Sequence, residues 1–319
     1  MRTLYTFAGE RRDPSDREVL DGWARSDKNG FWLDIEDPTD EDYELLLDRL
    51  HFHPLTVEDI QQQNSRPKLE QYTGYLFAVV FTALVDKGRL RYQEHHLYFA
   101  RNAIVTAHHG RSAELSDLFQ RLADHKDLAH GDVSYLAYLV VNALTDQMFG
   151  MLDQLDDEID SLEDLVLSRP TSRTLSQLYR IKHSVIDLRR ILGAQREVFQ
   201  HLVTHASEYH SQDTAVYYRD VYDHVVRQYE TVDSLRDLIT GTMDVYLSTV
   251  SNRLNTNIQK LTVIASLFLP LTFLTGFFGM NFGYLVQHIT APFAFAAVVL
   301  LMAATVVVQL ALFRSRRWI

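Results

Sequence analysis

Two uncharged apolar runs near the C-terminus constrain the fold of this chain more than any other feature. The first, LTVIASLFLPLTFLTGFF, covers residues 261–278, and the second covers residues 291–313. Because the apolar core of a bilayer is about 30 Å thick, roughly 20 helical residues are needed to cross it. We therefore predict two transmembrane helices, at about 261–281 and 291–313. A buried hairpin in a soluble core is the alternative, and the lack of any titratable residue in both runs argues against it.

The charged residues are confined to the rest of the chain. All 42 acidic residues lie before residue 261, together with 28 of the 31 Lys and Arg. This acidic balance suits a protein that meets cations and argues against a nucleic-acid partner, which needs a basic surface. The chain has no cysteine, which excludes disulfides and thiolate zinc sites. Neither GxxxxGKS, GxxxxGKT nor GxGxxG occurs, so we expect no bound nucleotide. The sequence also shows no nucleophile–base pattern, so we do not expect an enzyme.

The residues that flank the apolar runs set the expected orientation. Arg253 and Lys260 precede the first run, RSRRWI follows the second, and the connecting residues 279–290 contain no Lys, Arg, Asp or Glu. Because basic flanks stay in the cytoplasm, we expect a multi-pass protein of the cytoplasmic membrane with both termini cytoplasmic. Trp318 can anchor at the interface beside the arginines. The N-terminal stretch MRTLYTFAGERRDPSD has no apolar segment, so it is not expected to be a signal peptide.

The N-terminal part is expected to be an α/β or α+β domain with a mostly β centre. Strands are predicted for RTLYTF, GFWLDI and YLFAVVFTALV, and HHLYFA and AIVTAHH are predicted to form a hairpin joined at Arg101–Asn102. DEDYELLLDRLHF and HPLTVEDIQQQ have helical patterns, and Pro38–Thr39 is a start signal for the first. Adjacent histidines on a strand point to opposite faces and do not chelate zinc together. Most histidines are expected on the surface or in loops.

The next part of the chain is predicted to be helical. A first helix fits residues 132–168 and ends before Pro170, a second fits residues 172–209, and a third begins near Asp213 and runs into the first apolar run. A helix over residues 213–280 would be about 100 Å long, which a monomer of this size cannot bury. We therefore expect it to pack against copies of itself. The predicted domains are residues 1–130, 131–260 and 261–319.

The first apolar run ends in GFFGMNFGY, residues 276–284. Gly and Asn are common helix C-caps, so this stretch can be a simple helix end. This stretch is not the only motif in the chain. It is preceded, in this order, by HPLTVEDI, RPKLE, YRDVYDH, MDVYLS and PLTF. Together with GMN, a second span and a basic tail that contains a tryptophan, they make essentially the whole chain resemble the CorA family of divalent-cation channels.

The resemblance implies a homopentamer in which each chain has an α+β cytoplasmic domain, a long stalk helix and two transmembrane helices. Five first spans would line a central pore, with Gly279, Met280 and Asn281 as the selectivity filter. A ring of amide oxygens suits hydrated Mg²⁺, which loses its water reluctantly. The family's pore-facing positions correspond to Asn255, Ile258, Leu261, Leu269 and Thr272. The apolar ones would gate by dewetting, and ordinary packing in the helix bundle is the alternative for each.

The resemblance also gives roles to three acidic residues. Asp86 and Asp220 correspond to a regulatory Mg²⁺ site between neighbouring protomers that senses cytosolic metal, and two ordinary surface acids are the alternative. Asp244 would form a ring of five acids in the stalk, above the gate. The seven carboxylates of DQLDDEIDSLED, residues 153–164, have a solvated helix face as their default interpretation.

One departure from the family leaves the cation open. The outer loop contains no acid, and its ionisable residue near neutral pH is His288. The intact GMN favours Mg²⁺, with Co²⁺ and Ni²⁺ as further cargo, and ZntB-like transport of Zn²⁺ coupled to a proton gradient is the alternative. No carboxylate or histidine lies within either span, which argues against a proton relay there. A membrane-tethered sensor without transport is the remaining alternative, but it does not explain polar residues at pore spacing.

Overall fold

The structure is a computed structural model that describes most of the chain. The described residues are 1–6, 11–12, 20, 30–63, 65–86, 89–125, 128, 132–205, 213–280, 283, 292–316 and 318. They form two compact units. The first comprises Met1–Leu165 and Thr171–Met243, and the second comprises Val166–Pro170 and Asp244–Ile319.

A mixed sheet of seven strands forms the centre of the first unit. The strands are β1 (Arg2–Thr6), β2 (Arg11–Arg12), β3 (Phe31–Glu36), β4 (Lys68–Tyr72), β5 (Tyr75–Asp86), β6 (Arg89–Ala100) and β7 (Ala103–His108). Their order is β2-β1-β3-β7-β6-β5-β4. β3 and β7 are parallel, whereas the other neighbours are antiparallel. The predicted hairpin is β6–β7, in which Phe99 pairs with Ile104 across Arg101 and Asn102.

The described part of the chain also contains seven α-helices. They are α1 (Asp40–Glu44), α2 (Pro54–Gln62), α3 (Ala113–Asp124), α4 (Val133–Ser168), α5 (Ser172–His205), α6 (Ala215–Phe278) and α7 (Pro292–Ser315), and a π-helical turn at Leu45–Arg49 continues α1. α1 begins where Pro38–Thr39 predicts, because the Asp42 carboxylate accepts hydrogen bonds of 2.7 Å from both the backbone N–H and the hydroxyl of Thr39. α6 is one helix of 64 residues that continues through Pro270, as predicted.

Apolar side chains cover both faces of the sheet. On one face, Trp32, Val80 and Phe99 pack with residues of α3, α4, α5 and the first part of α6. On the other face, Leu33 and Phe77 pack with residues of α1 and α2. All six residues of β7 are buried as a result, which explains why the strand opens with the apolar run Ala103–Val105 instead of alternating apolar and polar residues. The predicted α+β fold is confirmed, whereas the three domain boundaries stay a prediction.

The histidine pairs differ from the expectation of surface positions. His95, His96 and His108 are all buried, because they lie in the central strands of a sheet that is covered on both faces. His95 Nε2 lies 3.0 Å from Thr82 Oγ1, and His108 Nε2 lies 3.3 Å from the Asp34 carboxylate. Burial, followed by the nearby His108, holds the pKa of His95 well below its usual range, and burial lowers the pKa of His96 to about 4.

The lowered pKa values of His95 and His96 predict acid sensitivity of the folded protein. In the folded state His96 has a pKa of about 4 and stays neutral, whereas in the unfolded state the same histidine takes up a proton near pH 6.5. Acid therefore favours the unfolded state. The free energy of unfolding is therefore highest above pH 6.5, and it falls by about 3 kcal/mol as the pH is lowered towards 4. Thermal unfolding of the full chain in detergent between pH 8 and 4.5 measures this loss. His96→Leu should reduce the pH dependence, whereas the control His183→Gln, at an exposed position, should leave it unchanged. Equal pH dependence in wild type and His96→Leu would contradict the prediction.

Candidate functional site

The two predicted membrane spans are helices of the second unit. The apolar part of α6 and the helix Phe293–Ser315 have mean hydropathies of 2.0 and 2.5 over 18 residues, and only 6% and 0% of these windows are buried within the chain. An apolar hairpin in a soluble core would be covered by its own protein. Apolar surface of this extent instead needs a cover from outside the chain, such as a lipid bilayer.

The five predicted pore positions are exposed side chains on one side of α6. Asn255, Ile258, Leu261, Leu269 and Thr272 are all exposed, with Leu269 at 75%. At about 100° per residue, the five positions fall within an arc of about 120° around the helix axis. Asp244, eleven residues before Asn255 and also exposed, falls within the same arc. The chain itself covers none of these side chains.

The opposite side of the first span is the one that the second unit covers. Seven of the residues 261–278 are less exposed than the rest, and they fall within an arc of about 140° centred away from the pore positions. They are Val263, Ser266, Leu267, Pro270, Leu271, Leu274 and Phe278. α7 has a matching stripe of less exposed residues, spaced by three and four: Ala294, Val298, Met302, Thr305, Val306, Gln309 and Phe313. We infer that these two stripes pack against each other, because α7 is the other long helix of this unit.

The GMN stretch begins directly after α6 ends. Gly279 N–H donates to the Thr275 carbonyl at 2.9 Å, and Met280 N–H donates to the Phe277 carbonyl at 3.3 Å. A Cβ atom on residue 279 would lie 2.9 Å from the Thr275 carbonyl oxygen, so the close approach of the backbone here requires glycine. The remaining filter residue, Asn281, and the loop residue His288 lie outside the described residues.

The predicted regulatory pair is located only in part. Asp86 is the last residue of β5, and its side chain lies outside the described part of the chain. The Asp220 carboxylate is 62% exposed on α6, and it lies 3.8 Å from His224 Nε2. The other ring nitrogen of His224 lies 3.1 Å from the Asp146 carboxylate of α4. The structure thus groups Asp146 and His224 with Asp220, although among the described residues no three His, Asp or Glu side chains form a group that could hold a metal ion.

Sequence reasoning missed Asp146 and His224 for different reasons. Asp220 and His224 lie four residues apart in YRDVYDH, a spacing that places them on one helix face and could have drawn attention to the histidine. Asp146 lies on α4, 74 residues earlier in the sequence. Its proximity to His224 depends on how α4 packs against α6, which no local pattern reveals.

The acidic segment 153–164 is mainly a solvated helix face, which is its default interpretation. Five of its seven carboxylates, those of Asp153, Asp156, Asp157, Asp160 and Asp164, belong to exposed residues. Glu158 is the clear exception, since it accepts a hydrogen bond of 2.5 Å from Arg180 of α5. This ion pair joins the two helices of the α4–α5 hairpin, and the exposed acids leave that hairpin with a negative surface.

Comparisons with known proteins agree with this architecture. A family model described as "CorA-like Mg2+ transporter protein" matches residues 27–316. The cobalt/magnesium transport protein CorA of Thermotoga maritima is 33% identical over 274 residues, which cover 84% of this chain and 77% of that protein. The solved CorA magnesium transporter from Methanocaldococcus jannaschii has a TM-score of 0.79 at 22% identity, over 91% of this chain and 92% of that chain. The ZntB cytoplasmic domain from Vibrio parahaemolyticus has a TM-score of 0.59 at 16% identity, over 70% and 88%, and shares the fold alone.

Proposed function

This chain belongs to the CorA family, and from that premise we propose that it transports divalent metal cations across the cytoplasmic membrane. The proposed cargo is Mg²⁺, with Co²⁺ and Ni²⁺ as further cargo. Five copies surround a central path lined by α6, and α7 packs outside it. Both termini face the cytoplasm. The protein is a channel rather than an enzyme, and its partners are further copies of itself, the lipid bilayer and the cations.

One observation carries the proposal. The positions that the resemblance assigns to the pore lie together on the side of α6 that its own chain leaves exposed. A helix that only packed within a monomer would cover such a side with its own protein. Fivefold association would enclose this side and place Thr272 and Asn255 around the axis, with Leu269, Leu261 and Ile258 between them.

The residue types along this side suit a hydrated divalent ion. Asn255, Thr272 and Asn281 offer neutral oxygens, which bind the water shell of Mg²⁺ without holding the ion too strongly to release it. Ile258, Leu261 and Leu269 offer no polar atom, and a narrow ring of such side chains excludes water until it widens. The membrane potential supplies the driving force, at about 4.6 kcal/mol for a divalent ion per 100 mV.

Cytosolic Mg²⁺ regulates the channel in this proposal. Asp220 of one protomer and Asp86 of its neighbour hold the ion between them, and two carboxylates this close repel each other when the ion leaves. Loss of the ion therefore loosens the assembly and favours opening. The exposure of the Asp220 carboxylate supports this role, because a site between protomers needs a group that its own chain leaves accessible. Asp244 contributes a ring of five acids that concentrates cations above the gate.

ZntB-like transport of Zn²⁺ coupled to protons is the second candidate function. The acid-free outer loop is the reason to consider it, because a loop without carboxylates concentrates neither Mg²⁺ nor any other divalent cation and so does not select Mg²⁺. The absence of a carboxylate or histidine from both spans counts against it, since a proton relay within the membrane needs such groups.

A flux assay in proteoliposomes tests the proposal. We expect uptake of Mg²⁺ driven by an inside-negative potential, inhibited by external Co²⁺, and unchanged when a pH gradient is imposed or removed. Zn²⁺ uptake that requires the pH gradient would establish the second candidate instead. A protein that passes no divalent ion under any of these conditions would contradict transport altogether and favour a sensor or scaffold.

A further inference from the structure

The C-terminal end of α7 folds back into a compact hook. The backbone N–H of Trp318 donates to the Phe313 carbonyl at 2.9 Å. The aromatic rings of the two residues stack, with centroids 5.9 Å apart and planes 11° apart. Gln259 of α6 donates to the Trp318 carbonyl at 3.5 Å. The hook therefore brings Trp318 back to Gln259, the residue that precedes Lys260.

The residues next to these contacts carry positive charge. Lys260, Arg314 and Arg316 are all exposed. The sequence from residue 244 to residue 319 contains one acid, Asp244, which lies sixteen positions before Lys260. In the described part of this unit, none of the three bases has an acidic partner. Such a cluster of like charges is stabilised by an anion from outside the unit.

We propose that Lys260, Arg314 and Arg316, held by the Trp318 hook, bind the phosphate headgroup of an anionic phospholipid in the inner leaflet. This inference rests on the orientation stated under the proposed function. Arginine donates two parallel hydrogen bonds to a phosphate, and lysine adds a point charge. A tryptophan with an exposed edge suits the headgroup region, where one side of its ring is apolar and the other wet.

The surroundings of the three bases favour a lipid over a free anion. Val308 and Leu312 of α7, which precede the hook, are 55% and 57% exposed. The acyl chains of a phospholipid can lie along these side chains while its phosphate reaches the arginines, which neither inorganic phosphate nor a protein carboxylate can do. Each basic residue near an anionic membrane surface contributes about 1 kcal/mol, so three of them together correspond to roughly 100-fold in affinity.

Lipid retention by the full-length protein tests the proposal. The protein is incorporated into nanodiscs of phosphatidylcholine with roughly 30% phosphatidylglycerol, extracted, and analysed by native mass spectrometry for bound phosphatidylglycerol. We expect retention by wild type, a loss of roughly 100-fold in apparent affinity for the triple variant Lys260→Gln/Arg314→Gln/Arg316→Gln, and a smaller loss for Trp318→Ala, with recovery in Trp318→Phe. The matched control Arg111→Gln/Arg121→Gln/Arg227→Gln makes the same change of charge at exposed positions of the first unit and should retain the lipid.

Other outcomes would overturn the proposal. Equal retention of phosphatidylcholine and phosphatidylglycerol, or an equal loss in both triple variants, would show no specific site. Displacement of the lipid by millimolar inorganic phosphate would indicate a free-anion site. If the first triple variant lowers the melting temperature equally in nanodiscs with and without phosphatidylglycerol, the bases pair with protein carboxylates rather than with the lipid. The assay measures no transport, so its result is independent of whether Mg²⁺ flux is observed.

Discussion

Replacing Asn281 by alanine is expected to lower Mg²⁺ flux on the order of 50-fold when Mg²⁺ is below saturation. In the proposed pentamer the substitution removes five amide oxygens from the outer mouth at once. Even at about 0.5 kcal/mol for each lost hydrogen bond to the hydrated ion, five copies change its occupancy by more than tenfold. The effect is large because symmetry multiplies a small change, whereas a single amide in a monomer would matter little.

The control for this prediction is Gln287→Ala, which removes an amide from the same outer loop outside the GMN motif. We expect it to keep flux within about twofold of wild type, since the filter is assigned to residues 279–281. Uptake is followed with a Mg²⁺-sensitive dye in proteoliposomes that contain equal amounts of each protein. Equal flux through wild type and Asn281→Ala would contradict a filter built from this residue.

Replacing Asp220 by asparagine is expected to weaken the inhibition of flux by cytosolic Mg²⁺ on the order of tenfold, which is within the usual range of allosteric coupling. The carboxylate gives the proposed inter-protomer site one of its two negative charges, and a neutral amide binds Mg²⁺ far less strongly. Because the variant binds the regulatory ion less strongly, it needs a higher internal Mg²⁺ concentration to stay closed, and it therefore opens at internal Mg²⁺ concentrations that keep the wild type closed. Flux measured against the internal Mg²⁺ concentration gives the shift directly.

Asp223→Asn is the matched control, because Asp223 is an exposed aspartate on the same helix, three residues from Asp220. It should leave the Mg²⁺ dependence unchanged. Protection of the protein from trypsin by Mg²⁺ provides a second measurement that does not depend on flux, and we expect it to be lost in Asp220→Asn alone. Equal inhibition and equal protection in wild type and Asp220→Asn would contradict a regulatory role for this residue.

The features that the sequence predicts well depend on long-range periodicity or strong local signals. The helix Ala215–Phe278 and the break at Pro170 follow from apolar spacing and from a single proline. The hairpin of β6 and β7 follows from two β-rich runs with a short connection. Each of these signals acts within one element, so packing against the rest of the chain does not override it.

The features that the sequence does not predict depend on packing between elements that are distant in the chain. β4 contains the polar run Lys68–Tyr72 and becomes a strand because β5 pairs with it. β6 begins at Arg89, six residues before the predicted HHLYFA, through pairing with β5. The buried position of His95 and His96 likewise depends on helices that cover both faces of the sheet, which local composition does not reveal.

The candidate site divides in the same way. Counting from GMN places Ile258, Leu261 and Leu269 on one side of α6, since helical geometry alone relates these positions. The partners of Asp220 are a different matter. Asp146 and His224 become visible only in the folded unit, and the proposed pairing with Asp86 involves a second chain.

A cysteine scan of α6 tests most directly whether its exposed side lines a water-filled path. The chain has no native cysteine, so single substitutions are unambiguous. Leu261→Cys, Leu269→Cys and Thr272→Cys should react with a charged, membrane-impermeant thiol reagent and lose Mg²⁺ flux on modification. Leu267→Cys, Leu271→Cys and Leu274→Cys, on the side that the second unit covers, should neither react nor lose flux. Equal reactivity on both sides, or modification confined to the second set, would contradict a pore lined by this helix.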